Sequence, residues 1–231
     1  MIKVDNISKY YGEQVALSAI DFSLQKGEIV GLLGVNGAGK STLMKILSGI
    51  ILPDKGTVTF NGKEFTSHSL EIKKQIGYLS EDNPLYEDMY VKEYLGYVAD
   101  IYRIKKQRID EVIGMTGLQN EYKKKIKDLS KGNRQRVGIA QAILHNPDFL
   151  ILDEATSGLD PNQRESLNNL LIDLAKDKVI FFSTHILHEV KDICTRFLLL
   201  DKGKLIVDKQ ISEIDSIEET FHTLTNENNS R

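Results

Sequence analysis

An α/β fold with a parallel sheet at its centre follows from three features of this 231-residue sequence. First, Phe149-Leu150-Ile151-Leu152 and Val179 to Phe182 are unbroken apolar runs of strand length, as strands covered on both faces require. Second, a helical pattern lies between them, with Leu167, Leu170, Leu171 and Leu174 at i, i+3, i+4 and i+7. Third, the apolar run Ile29 to Leu33 leads through a glycine-rich turn into a helix carrying Leu43, Ile46 and Leu47. Strand, helix, strand with apolar strands is the pattern of a sheet sandwiched between helices.

The remaining elements can be assigned in order. Residues around 1–8, 15–24 and 28–33 read as strands, and Thr57 to Phe60 followed by Asn61-Gly62 reads as a strand entering a hairpin turn, so the first part of the chain is partly antiparallel. Residues from about 82 to 145 have helical periodicity, including Val137, Ala140, Ile143 and Leu144, and read as a helical insertion. The core is then expected in about 1–81 and 146–215 of a single domain, with a polar tail of about 216–231 that frays.

Lys and Arg number 30 and Asp and Glu 33, a net charge of −3, so no global basic field draws nucleic acid or anionic lipid to the chain. Cys194 is the only cysteine, which excludes an intrachain disulfide and makes a cytoplasmic location the default. The N-terminus lacks the apolar core of a signal peptide, and no apolar run approaches the ~18–20 residues of a membrane helix. Work at a membrane would need a partner to supply the spans.

Gly34-Val35-Asn36-Gly37-Ala38-Gly39-Lys40-Ser41 matches G-x-x-x-x-G-K-[ST] between a strand and a helix. Glycines let backbone N–H groups fold around phosphate oxygens, and the helix N-terminus, continuing through Thr42, adds partial positive charge at the same place. Lys40 would meet the β and γ phosphates and the Ser41 hydroxyl would ligate Mg²⁺. Asp153 and Glu154 end a buried strand, where ligands collect in open α/β sheets. Asp153 would hold Mg²⁺ and Glu154 would polarise the attacking water, because phosphoryl transfer needs positioning and charge stabilisation above all.

Asp128 to Arg136 begins a helix in which Ser130 serves as N-cap, and its start is a second potential anion site. Here the sequence resembles a known family: Leu129-Ser130-Lys131-Gly132-Asn133 is similar to the L-S-G-G-Q signature of ATP-binding cassette (ABC) ATPases. Tyr11, Glu81 at the glutamine-loop position, Ser157-Gly158-Leu159-Asp160 as D-loop and Thr184-His185 as switch follow in the family's order, over residues 1 to about 210. The resemblance implies a P-loop NTPase (RecA-like) core with an antiparallel β lobe and an inserted helical lobe. It implies a homodimer, or a heterodimer with a related ATPase, binding ATP and Mg²⁺ and joined to integral membrane permease subunits at the inner face of the membrane. In that arrangement Tyr11 stacks on adenine, Ser130, Lys131, Gly132 and Asn133 face the partner's nucleotide, Asp160 communicates between the sites, and His185 contacts the γ-phosphate and the water.

Two positions depart from the family pattern. Glu81 stands where most cassettes carry Gln; its carboxylate reaches toward Mg²⁺ but adds negative charge beside the phosphates. Asn133 is one methylene shorter than the usual Gln. Ile76 to Glu81 with Asn83-Pro84-Leu85-Tyr86 looks like the efflux-type branch, closest to gliding-motility-associated and multidrug-type ATPases. Tyr86, Tyr90, Tyr94 and Tyr97, with Tyr102 beyond, form an aromatic series that would either dock a partner's helix or pack within the helical lobe. The Lys123-Lys124-Lys125 run with Lys127 reads as a solvated face, and Cys194 as a buried small hydrophobe. His185, His188 and Glu189 together suggest metal ligation only weakly, since His-x-x-His alone carries little information. A soluble cassette protein or nucleotide switch working without membrane subunits would carry tandem cassettes, a long coiled coil or a basic surface, and none is visible here.

Overall fold

The computed structural model describes residues 1–66, 68–214, 216, 217 and 219. Its centre is a six-stranded sheet in the order β10-β9-β3-β8-β7-β6. The strands are β3 (Ile29–Gly34), β6 (Ile76–Leu79), β7 (Phe149–Asp153), β8 (Val179–Ser183), β9 (Arg196–Asp201) and β10 (Lys204–Gln210). All neighbours are parallel except the β9/β10 hairpin at one edge. Every residue of β3, β7 and β8 is buried, which explains why these strands read as continuous apolar runs.

The two-residue period of the strands divides the core into two layers. Ile29, Leu33, Leu150, Leu152, Ile180 and Phe182 face one layer. Val30, Leu32, Phe149, Ile151, Val179 and Phe181 face the other. The second layer is closed by an antiparallel sheet of order β2-β1-β4-β5, formed by β1 (Ile2–Tyr11), β2 (Gln14–Leu24), β4 (Lys55–Phe60) and β5 (Lys63–Glu64). Phe22 of β2 stacks on Phe181 of β8 with centroids 6.0 Å apart, joining the two sheets through apolar area. Helix α1 (Lys40–Leu47) buries Leu43, Met44, Ile46 and Leu47 in the same layer, and the short α2 (Leu70–Lys73) buries Ile72.

The first layer is covered by α3 (Val91–Tyr102), α4 (Gln107–Met115), α5 (Lys131–Leu144), α6 (Pro161–Ala175) and α7 (Leu187–Ile193). The helical stretch between 82 and 145 is not cut cleanly from the sheet: α5 packs on α3 and α4 and equally on β6. Its Gly138 has no room for a side chain, because a Cβ there would stand 2.2 Å from Asn83 Oδ1 and 2.6 Å from Leu79 Cδ1. Ile217 is buried against this layer. The remainder of the polar tail, with His222, lies outside the described residues.

The order of strands has one consequence for function. β8 lies between β3 and β7, and Ser183 at its end is in register with both Leu32 and Asp153. The glycine-rich turn after β3 and the carboxylates after β7 therefore open on the same edge of the sheet, one strand apart.

Candidate nucleotide site

A cavity of about 500 Å³ opens at that edge, lined by Tyr11, Gln14, Ala16, residues 36–42, Glu81, Asp153 and Glu154. Its floor is the turn between β3 and α1. Gly39 is the N-cap of α1, with φ +106° and no side-chain cap, so the first-turn N–H groups of α1 lack a capping side chain and an anion is the natural partner. Only glycine fits there: a Cβ would lie 2.6 Å from Ala16 O and 2.8 Å from Leu17 Cδ2. Lys40 Nζ donates to Gly34 O at 2.7 Å and to Val35 O at 3.4 Å, so these carbonyls hold the ammonium while Gly34 and Val35 stand outside the cavity wall.

Asp153 is 3% exposed and accepts from Ser183 Oγ at 2.5 Å. The same Ser183 oxygen accepts from Glu154 N–H at 3.1 Å, so one buried hydroxyl fixes both acids. Glu154 has φ +52°, an uncommon backbone for a non-glycine residue and one found where surrounding contacts over-determine it. His185 Nδ1 lies 2.7 Å from Glu154 Oε2; against an ionised carboxylate the nitrogen is the donor, leaving Nε2 free. Burial raises the Glu154 pKa above the ordinary carboxylate value, and the His185 contact and Lys40 oppose the rise. Ser41, Asp153 and Glu81 form an all-oxygen donor set around one cavity, the chemistry that suits Mg²⁺ bound jointly with phosphate oxygens.

Tyr11 ends β1, which runs three residues past the strand read at about 1–8, and is half exposed on the cavity wall with Lys9 Nζ 5.9 Å from its ring centroid. Residues 130–133 are not on that wall. Ser130 caps α5 by accepting from Asn133 N–H at 3.2 Å, which leaves its own O–H to donate. Lys131 lies beside its own D-loop, Nζ 3.3 Å from Ser157 Oγ, and Gly132 is packed against Gln163 and Gly158 O. Asp160 caps α6, accepting from Gln163 N–H at 2.9 Å.

Sequence reasoning misses the roles of three residues that organise this edge, of which Glu189 reads only as a weak metal-ligand candidate. Ser183 is one. Gln135, buried in α5, donates to Glu154 O at 3.3 Å and links the signature helix to the acid. Glu189 is 0% exposed and turned inward to Thr156, Thr184 and Arg164, away from His188, which is exposed. The aromatic series also divides: Tyr94 is buried and donates to Gln141 Oε1, and Tyr102 stacks on His145, while Tyr86, Tyr90 and Tyr97 are exposed.

The family model described as ABC transporter matches residues 17–157, from β2 through the carboxylates after β7. The chain belongs to the ABC transporter family. An uncharacterised ABC transporter ATP-binding protein of Methanocaldococcus jannaschii is 40% identical over 218 residues, covering 92% of this chain and 79% of its own. The bacitracin transport ATP-binding protein BcrA of Bacillus licheniformis is 39% identical, covering 89% of this chain and 68% of its own. Among solved structures, the dimeric structure of MJ0796, described as a bacterial ABC transporter cassette, superposes with a TM-score of 0.85 at 26% identity, over 91% of this chain and 99% of that one. This ABC cassette is thus an ATP-binding ATPase subunit, its hydrolysis coupled to transport. Among the described residues no helix is long and apolar enough to cross a membrane.

Proposed function

We propose that this chain is the motor of an efflux-type ABC transporter, one ATPase domain working at the inner face of the membrane through permease subunits. The observation that carries the proposal is the cavity that gathers Tyr11, the glycine-rich turn, Asp153 and Glu154, with His185 on Glu154. ATP enters with adenine against Tyr11 and its phosphates over the N–H groups of residues 36–42. Lys40 exchanges the Gly34 and Val35 carbonyls for phosphate oxygens. Ser41 and Asp153, with Glu81 beside them, would hold Mg²⁺, which offsets charge on the phosphates when bound. Glu154 accepts a proton from the attacking water, and the rise in its pKa brings it nearer the operating pH. His185 orients that carboxylate through its Nδ1–H, and the Nε2 lone pair of the neutral ring is left to accept a hydrogen bond from the attacking water.

The position of Ser130, Lys131, Gly132 and Asn133 off their own chain's cavity supports a second cassette, identical or related, bringing them to ATP across an interface. Closure on two MgATP and reopening after hydrolysis would move the helical insertion of 82–145. There the exposed Tyr86 and Tyr97, with Glu87, Asp88 and Met89, line a surface cavity of about 480 Å³, the face this reading gives to a permease's cytoplasmic helix. With a net charge of −3, the chain is not suited to nucleic acid.

The test is to tag Glu154→Gln, solubilise cells in mild detergent with MgATP and identify what copurifies. A polytopic membrane protein is the expected partner. Recovery of soluble proteins only, with the bait still dimeric, would refute the transport role and keep the ATPase.

A further inference from the structure

Glu189 is a buried charge that the catalytic scheme does not use. Its side chain is 1% exposed on the first turn of α7. Oε2 accepts from Thr156 Oγ1 at 2.9 Å and from Thr184 Oγ1 at 2.6 Å, both hydroxyls buried. Oε1 forms an ion pair with Arg164 Nε at 3.1 Å. Three segments therefore meet on one carboxylate. Thr156 lies two residues after Glu154, Thr184 immediately precedes His185, and Arg164 sits one turn beyond Asp160, the cap of α6. Thr184 Oγ1 also accepts from Ile186 N–H at 3.0 Å, so a single hydroxyl fixes the backbone on both sides of His185.

A desolvated carboxylate is costly unless it is paired and hydrogen-bonded, and here two hydroxyls donate to Oε2 while the Arg164 guanidinium stands against Oε1 as an ion pair without a hydrogen bond of good geometry. Such a site favours one arrangement of its partners over neighbouring ones. The Glu154–His185 contact is open to solvent on the histidine side, with the His185 side chain 69% exposed, and two side chains alone would not keep a 2.7 Å geometry there.

We propose that Glu189 is the positioning residue of this ATPase: it holds the turn after Glu154 and the switch before His185 at a fixed spacing and ties both to the D-loop helix through Arg164. The proposal rests on the assignment of Glu154 and His185 as the hydrolytic pair. A shift of the α6 N-terminus would then move the pair as a unit, giving a mechanical route from the D-loop to the chemistry within one chain.

The test uses the full chain with Glu189→Ala and the pair Thr184→Val and Thr184→Ser. Displacing a catalytic group by a fraction of an ångström costs rate and spares binding, so Glu189→Ala and Thr184→Val should each lower kcat at least about tenfold. KM for ATP should stay within about twofold, because the adenine and phosphate contacts are elsewhere. Thr184→Ser, which restores the hydroxyl, should recover most of the rate. Amide exchange without nucleotide gives a second readout: in Glu189→Ala, segments 155–160 and 183–187 should exchange faster together. Unchanged kcat in folded Glu189→Ala, a Thr184→Ser protein no better than Thr184→Val, or faster exchange in one segment alone would overturn the proposal. If Glu189→Ala does not fold, the Thr184 pair decides. If Glu154→Gln hydrolyses ATP like the native chain, the hydrolytic assignment fails, and the exchange data still report on Glu189 as a tie.

Discussion

Replacing Ser183 by Ala removes one oxygen and breaks two contacts at once. Asp153, 3% exposed, loses the donor at 2.5 Å, and the Glu154 N–H loses its acceptor at 3.1 Å. A hydrogen bond to a charged group contributes about 1.5–3 kcal/mol, and an orphaned buried donor costs about 1–3 kcal/mol; the two overlap because they share one hydroxyl, so about 3 kcal/mol in total is expected. For a chain of this size each kcal/mol lowers Tm by about 2–4 °C, giving a fall of about 6–12 °C. Calorimetry of Ser183→Ala beside native protein measures it. A double-mutant cycle with Asp153→Asn isolates the charged half and should return a coupling of about 1.5–3 kcal/mol. A Tm change below about 2 °C, or additive single effects, would refute the assignment of Ser183 as the clamp on both acids.

Three further outcomes follow from local geometry. Gly39→Ala places a methyl 2.6 Å from Ala16 O on a φ of +106°, so the turn must shift; nucleotide affinity measured by titration calorimetry should fall by at least about tenfold. His145, stacked on Tyr102 and donating to Ile76 O through Nε2, has its pKa lowered below 6.5 by burial. The unfolded chain therefore takes up the proton first as pH falls, and the His145 contribution is present above pH 6.5 and lost below it. Denaturant titrations at several pH values should show His145→Gln removing a slope of up to about 1.4 kcal/mol per pH unit in that window, and parallel curves would refute it. Burial pushes the Cys194 thiol well above its ordinary pKa, so a thiol reagent near neutral pH should modify denatured chain quickly and native chain very slowly; equal rates would show the site to be open.

How far the sequence can be read depends on whether a residue's task is local. The glycine-rich turn is legible because φ > 0 and close backbone approach leave few residue choices, and Asp153-Glu154 is legible because an apolar strand can end in acids only at a functional edge or a turn. The parallel sheet is legible in the unbroken strands. The role of Glu189 is not legible: beside His185 and His188 it reads only as a weak metal-ligand candidate, and the folding of 156, 164 and 184 around it is what makes it interior. Ser183 is hidden in the same way, since its partners lie 29 and 30 residues away in sequence. The tyrosines show the limit of spacing as a guide: Tyr94 and Tyr97, three apart on α3, share a face and both touch Tyr86, yet Tyr94 is buried and Tyr97 stays at the exposed rim of that face.

The insertion of β8 between β3 and β7 also sets when ATP can first be recognised during synthesis. A nascent chain that has emerged only through β7 holds the phosphate turn and both acids, but β3 and β7 are not neighbours and nothing yet holds them at the spacing of one strand. That spacing waits for residues 179–183, and β9, the other neighbour of β3, follows only after them. Ligand that selects the finished form stabilises it by about 2.7 kcal/mol at a hundred times its Kd. Bound nucleotide would in this way favour chains in which β8 stands between β3 and β7 over those in which it does not.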